Sequence, residues 1–180
     1  MSNQSKIILN SQQLDLTINR LCFEIIENTK NFDQIAIIGM QPRGVFLSQK
    51  IHSILEKQLH CNIKSGYLDT TFFRDDFRRR DGVIIPNITN IDFSLEGVNV
   101  ILIDDVLFTG RSVRSALDAL VSFGRPASVD LLVLIDRRFS RQLPIQPKYI
   151  GKSVDVIDNE HVVVNLEKQF HNVVLLNERK

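Results

Sequence analysis

An α/β fold built on a central parallel sheet is predicted by three features of the chain. Short apolar runs at Gln34–Ile38, Asn62–Asp69, Val100–Leu107 and Ser128–Ile135 alternate with amphipathic stretches, the order in which crossover helices cover parallel strands. The run Val100-Ile101-Leu102-Ile103 contains no polar residue, as a strand buried on both faces requires. Glycines follow the runs at Gly39, Gly44 and Gly110, where a strand must turn tightly into a helix.

Each element has its own warrant. Leu14, Ile18, Leu21, Ile25 and Ile26 recur at helical spacing and predict a helix from about Ser11 to Thr29, with Asn10 or Ser11 as its cap. The strand at Gln34–Ile38 leads through the Gly39 loop into a helix carrying Leu47, Ile51, Ile54 and Leu55 on one face. A strand from about Asn62 to Asp69 comes next, and an irregular polar stretch runs to about Glu96. Val113, Leu117, Leu120 and Val121 place a helix after the Val100 strand, with Gly124 to end it. Beyond Ser128–Ile135 the rhythm changes. Tyr149-Ile150-Gly151 and Val162–Leu166 read as short strands of a small hood over the carboxyl end of the sheet. At 180 residues the chain is expected to form a single domain over 1–180, with the hood built mainly from the C-terminal segment.

Bulk properties exclude several classes of protein. A hydrophobic content of 43% with 24% charged residues is that of a soluble globular chain. The formal net charge of +1 provides no bulk attraction to nucleic acid or an anionic membrane, which leaves only a local basic face for such a partner. No apolar stretch approaches the roughly 18 to 20 residues that span a bilayer, and Met1–Asn10 lacks the charged-then-apolar order of a secretory signal. Cys22 and Cys61 show neither metal-ligand spacing nor a disulfide framework, so a cytoplasmic protein with reduced thiols is expected. His52, His60, His161 and His171 share no spacing that would gather a metal.

The chemistry concentrates where the Val100 strand leaves the core. Asp104 and Asp105 end the apolar run, and acceptor-only carboxylates there suit the adjacent hydroxyls of a ribose or a hard cation held through water. Thr109, Gly110, Arg111 and Ser112 bring a hydroxyl, a permissive glycine and free backbone N–H groups to a helix start, which suits a phosphate. The same residues also serve a turn cap and an ordinary helix start. Gly39-Met40-Gln41-Pro42-Arg43-Gly44 offers close backbone approach and the planar fork of Arg43. Arg74 to Arg80 carries four arginines against two aspartates in a long polar connection, the composition of a charge-paired solvated loop and equally of a lid over an anion.

Taken together, Val100 to Gly110 closely resembles the phosphoribosyl-pyrophosphate (PRPP) signature of the type I phosphoribosyltransferases, and Arg111-Ser112-Val113-Arg114 continues the match. Gly39 to Gly44 resembles that family's pyrophosphate loop, Thr71 to Asp76 its catalytic loop, and Asp136-Arg137 the strand end beside the base. Gly124-Arg125-Pro126, Leu143-Pro144-Ile145 and Tyr149-Ile150-Gly151-Lys152 resemble the PyrR group, uracil phosphoribosyltransferases that also regulate pyrimidine operons. The similarity runs from about Ile8 to Arg74 and from about Val98 to the end, with a one-residue irregularity near Ser140.

The resemblance implies transfer of a ribosyl phosphate from PRPP to a nucleobase, expected to be uracil, with Mg2+ as cofactor in a homo-oligomer; the alternatives are another base such as a purine, or an RNA-binding regulator of pyrimidine genes. It implies catalytic roles for Asp104, Asp105, Arg74 and Arg43, and PRPP contacts from Gly39, Gly44, Val106, Leu107, Phe108, Thr109, Gly110, Arg111 and Ser112. Arg137, Arg138 and Phe139 would face the base, and Asp136 would join Asp104 and Asp105 around the metal through water. It implies a cis peptide between Met40 and Arg43, for which Gln41-Pro42 is the ready site. The chain departs from the pattern in four places. Gln41-Pro42 replaces a basic residue and threonine, and Arg138-Phe139 replaces a Gly-His pair. Asn19, Phe23 and Asn28 stand where RNA-binding members carry threonine, histidine and arginine, with Arg20 and Lys152 as the basic residues kept. Finally, Ser140 is inserted. RNA binding is therefore expected to be weakened.

Overall fold

In the computed structural model, residues 6–74, 87–155 and 160–166 are described in full and residues 173–178 as backbone. The first strand, β1 (Lys6–Ile7), leads into helix α1 (Ser11–Asn28). Asn10 closes a capping box there: its Oδ1 accepts the Gln13 N–H at 2.9 Å, and the Gln13 Oε1 accepts the Asn10 N–H at 3.0 Å. β2 (Ile35–Met40) and α2 (Gly44–Leu59) follow, then β3 (Lys64–Leu68), β4 (Asn99–Leu107), α3 (Arg111–Leu120), β5 (Ser128–Arg138) and β6 (Tyr149–Asp155). β7 (Glu160–Asn165) and β8 (Val173–Glu178) complete the order.

The main sheet has strand order β3-β2-β4-β5-β6, and all its pairs are parallel. Alternation along β4 feeds two cores. Ile101 and Ile103 pack with Leu14, Ile18, Leu47 and Ile51 of α1 and α2, while Val100 and Leu102 pack with Val113, Ala116 and Leu120 of α3 on the opposite face. The carboxyl ends of the strands are thereby left open between the helices, where ligands of such sheets bind.

One strand sits where the sequence reading did not place it. Tyr149-Ile150-Gly151, expected in the hood, opens β6 and pairs in parallel with β5 from Leu132↔Tyr149 to Arg138↔Asp155. A Cβ on Gly151 would stand 2.4 Å from the Leu134 carbonyl oxygen, so glycine permits this approach. Arg20 of α1 secures the strand by donating to the carbonyls of Ile150 at 2.9 Å and Gly151 at 2.7 Å. The second sheet is antiparallel, in the order β1-β8-β7. Val162 and Val164 of β7 join the core of α1 and α2, so this sheet combines the Val162 segment with the amino-terminal β1.

Among the described residues no helix is long and apolar enough to cross a membrane. Cys22 is buried, and burial pushes its thiol up to about 12, which leaves it a packing residue.

Candidate active site

Asp104 and Asp105 emerge from the core at the end of β4, and their carboxylates brace the backbone that carries them. The Asp104 Oδ1 accepts the N–H of Asp105 at 2.9 Å, and the Asp105 Oδ1 accepts the N–H of Val106 at 2.8 Å. Asp105 is buried, and its Oδ2 has no hydrogen-bond partner among the described residues. Burial pushes both carboxyls above their ordinary range; the charge of Asp105 raises Asp104 further, and the charge of Arg43 acts against both shifts. Two adjacent acids, one with a buried oxygen left without a partner among the described residues, suit positive charge.

A cleft of about 570 Å3 opens over this pair, walled by Gln41, Pro42, Arg43, Asp69, Arg74 and Ser112 among others. A side chamber of about 190 Å3 shares Arg74, Asp104, Val106 and Ser112 with it and adds Leu107, Phe108, Thr109 and Gly110. The peptide Gln41-Pro42 is cis, as expected of this loop. Gly110 takes φ 88° ahead of α3, and the Arg111 N–H turns back to the Thr109 Oγ1 at 3.4 Å. Across the opening, the Arg74 Nη1 donates to the Ser112 Oγ at 2.9 Å. Loops after β2, β3 and β4 thus meet at one cleft whose lining includes Arg43 and Arg74.

Other expected residues are engaged by the surrounding fold. Gly39 and Gly44 do not line the cleft; they let α2 lie close to the sheet. A Cβ on Gly39 would meet the Ser48 Oγ at 2.2 Å, and one on Gly44 would meet the Ile103 carbonyl oxygen at 2.4 Å. The Arg111 Nε donates to the Gln142 Oε1 at 2.8 Å, directing that guanidinium along the loop that contains Gln142. Asp136 is paired with Arg141, a partner the sequence reading did not include, and Arg141 also donates to the Phe108 carbonyl. The guanidinium of Arg137 stacks 4.1 Å from the centre of the half-exposed Phe108 ring. Arg138 forks onto Asp155 at 2.7 and 2.8 Å, and Phe139 is 88% exposed in left-handed backbone at φ 64°. Asp75 to Asp81, including Asp76 and Arg78 to Arg80, lie outside the described residues. Among the described residues no three His, Cys, Asp or Glu side chains gather as a metal set.

The sequence assigns no role at this site to Asp69 or Arg141. Asp69 had a local signal, since an aspartate two residues before a threonine suits an Asx turn. Arg141 had none.

The chain belongs to the phosphoribosyl transferase domain family, whose profile matches residues 4–171. Solved structures agree on the fold. A hypoxanthine phosphoribosyltransferase from Staphylococcus aureus superposes with TM-score 0.68 at 19% identity, covering 97% of this chain and 92% of that one. A Trypanosoma cruzi hypoxanthine phosphoribosyl transferase gives TM-score 0.70 at 14% identity, covering 100% and 93%. Within the family, the chain groups with the PyrR proteins. It is 38% identical over 176 residues to the bifunctional protein PyrR of Limosilactobacillus fermentum, covering 96% of this chain and 98% of that one. It is likewise 38% identical over 175 residues to the pyrimidine operon regulatory protein of Lactococcus lactis subsp. cremoris, covering 97% and 98%. The chain is accordingly an enzyme of phosphoribosyl transfer.

Proposed function

We propose that the chain transfers the ribosyl phosphate of PRPP to uracil, forming UMP and pyrophosphate. The observation that carries this reading is the pair Asp104 and Asp105, two carboxyls pushed up by burial under a cleft whose walls also include Arg43 and Arg74. In the reaction N1 of the base gives up its proton to water or to the departing pyrophosphate and forms a bond to C1 of the ribose as the bond from C1 to the pyrophosphate oxygen breaks. Positive charge grows on the sugar ring in the transition state, and the paired acids lie beneath it, holding its diol. Thr109 to Ser112 receive the 5′-phosphate at the start of α3. Arg43 and Arg74 hold the departing pyrophosphate.

The acid pair also fits Mg2+. The orphan Oδ2 of Asp105 and the partly open Asp104 are hard oxygen donors, and Mg2+ is commonly held by one or two carboxylates with substrate phosphates and water completing the shell. Bound there, the ion would neutralise charge on the pyrophosphate. Asp136 has its carboxylate engaged by Arg141. The half-exposed Phe108 ring, backed by Arg137, offers an aromatic face to the base, while the side chamber lined by Thr109, Gly110 and Ser112 is left to the 5′-phosphate.

Initial rates with PRPP, Mg2+ and a panel of uracil, cytosine, hypoxanthine and guanine test this reading. Uracil should give the highest kcat/KM, and a purine preference would overturn the base assignment while leaving the PRPP site intact.

A second activity, regulation of pyrimidine genes, is favoured by the relatives' names. They lend no support to the expectation of weakened RNA binding, which rests on Asn19, Phe23 and Asn28. Arg20 and Lys152, the basic residues kept, each make internal bonds: Arg20 to β6, and the Lys152 Nζ to the Ile8 carbonyl at 3.1 Å.

A further inference from the structure

We infer that Asp69, just beyond β3, is a positioning residue that sets Arg74 for its contact with PRPP. The inference rests on the reading of the cleft as a PRPP site. Asp69 uses both carboxylate oxygens. Its Oδ1 accepts the Thr71 hydroxyl at 2.7 Å and the Thr71 N–H at 3.3 Å. Its Oδ2 accepts the Asn87 N–H at 3.1 Å, and its own N–H donates to the Thr89 Oγ1 at 3.0 Å. One side chain therefore ties together the two stems that flank residues 75–86.

The tie leads directly to Arg74. Thr71 opens a single 3-10 turn, Thr71–Phe73, which is closed by the Phe73 N–H to the Thr70 carbonyl at 3.0 Å and packs against α3. Arg74 leaves that turn in extended backbone, φ −76° and ψ 137°, and reaches the Ser112 Oγ at 2.9 Å. The opposite stem is joined to the pyrophosphate loop by the Gln41 Nε2, which donates to the Ile88 carbonyl at 2.5 Å. An arginine side chain has several free torsions, so its useful donors are placed only as well as its backbone is placed, and small misplacements at a reacting centre are costly in rate.

A carboxylate is required because the donors approach from both sides. An amide would offer one acceptor oxygen and turn an N–H2 toward a backbone N–H. Asp69 acts through Arg74, since its oxygens already hold three donors.

The test measures kcat and both KM values for wild type, Asp69→Asn, Arg74→Ala and the double variant. Asp69→Asn should raise the KM for PRPP about tenfold, the size of one lost charge-assisted hydrogen bond, and leave the KM for uracil within about twofold. In the Arg74→Ala background it should add almost nothing, because residues acting through one another are not additive. Thr71→Val, which removes the hydroxyl donor alone, should give a smaller rise selective for PRPP and serves if Asp69→Asn does not fold. A PRPP effect in Arg74→Ala with none in Asp69→Asn, or effects that multiply in the double variant, would overturn the positioning role and leave the cleft assignment standing. No PRPP effect in any variant would overturn both.

Discussion

Asp104→Asn and Asp105→Asn should each lose most turnover while leaving the fold at least as stable at neutral pH. An amide keeps an acceptor oxygen for the Asp105 N–H or the Val106 N–H, bonds of 2.9 and 2.8 Å, so the strand end need not move. What disappears is the charge. Hydrogen bonds to charged groups are worth about 1.5 to 3 kcal/mol, and if that is felt in the transition state each substitution lowers kcat/KM about ten- to hundredfold. Stability moves the other way. Burial raises both carboxyls, so the folded chain keeps protons that the unfolded chain releases from about pH 3.9 upward. Wild-type stability therefore falls as pH rises from that value through the raised pKa of the pair, and the amide variants escape the loss. Initial rates with varied PRPP, together with thermal melts from pH 4 to 8, read both effects. The variants should melt at or above wild type at pH 7, with the difference shrinking toward pH 4. Wild-type turnover in both variants, or a lower melting temperature that does not change with pH, would refute the reasoning.

Gly44→Ala places a methyl 2.4 Å from the Ile103 carbonyl oxygen and should cost about 1 to 3 kcal/mol by overpacking; a variant that melts like wild type would show that α2 can shift at no cost. Phe108→Ala removes the ring under Arg137, a contact worth about 0.5 to 2 kcal/mol. It should raise the KM for uracil severalfold and leave that for PRPP, whereas equal changes would place Phe108 outside the base site. Gel-shift titration with a pyrimidine-gene leader RNA should show binding enhanced by UMP if regulation is present, and weak binding insensitive to UMP would restore the expectation drawn from Asn19, Phe23 and Asn28. Arg20→Ala belongs in that titration only beside a thermal melt, because Arg20 also anchors β6.

The parts of the architecture legible in the sequence are those held by local pattern. The α1 face of Leu14, Ile18, Leu21 and Ile25 is buried as spacing predicts, the uninterrupted apolar run became the central strand β4, and Gly124 at φ 122° ends the 3-10 turn Val121–Phe123 that continues α3. β6 was misplaced because it is an edge strand with the mixed burial of Tyr149 to Asp155, so no clean alternation marks it. The pairing of Lys6–Ile7 with Leu175 and Leu176 joins opposite ends of the chain, a relation no short window contains. At the site, resemblance points to loops, while the direction of each side chain comes only from the fold. Gly39 and Gly44 turned out to serve close packing of α2. Arg138 is drawn to Asp155 and Asp136 to Arg141, partners 17 and 5 residues away that only the tertiary fold brings close.

The central claim is that the cleft over Asp104 and Asp105 transfers ribosyl phosphate from PRPP to uracil. Its most direct test is product stoichiometry from uracil, PRPP and Mg2+, followed for wild type and for Asp104→Asn beside it. The account predicts UMP and pyrophosphate in a one-to-one ratio, dependent on Mg2+ and reduced at least about tenfold by the substitution. Absence of UMP at any PRPP concentration, or undiminished formation in the Asp104→Asn variant, would contradict it.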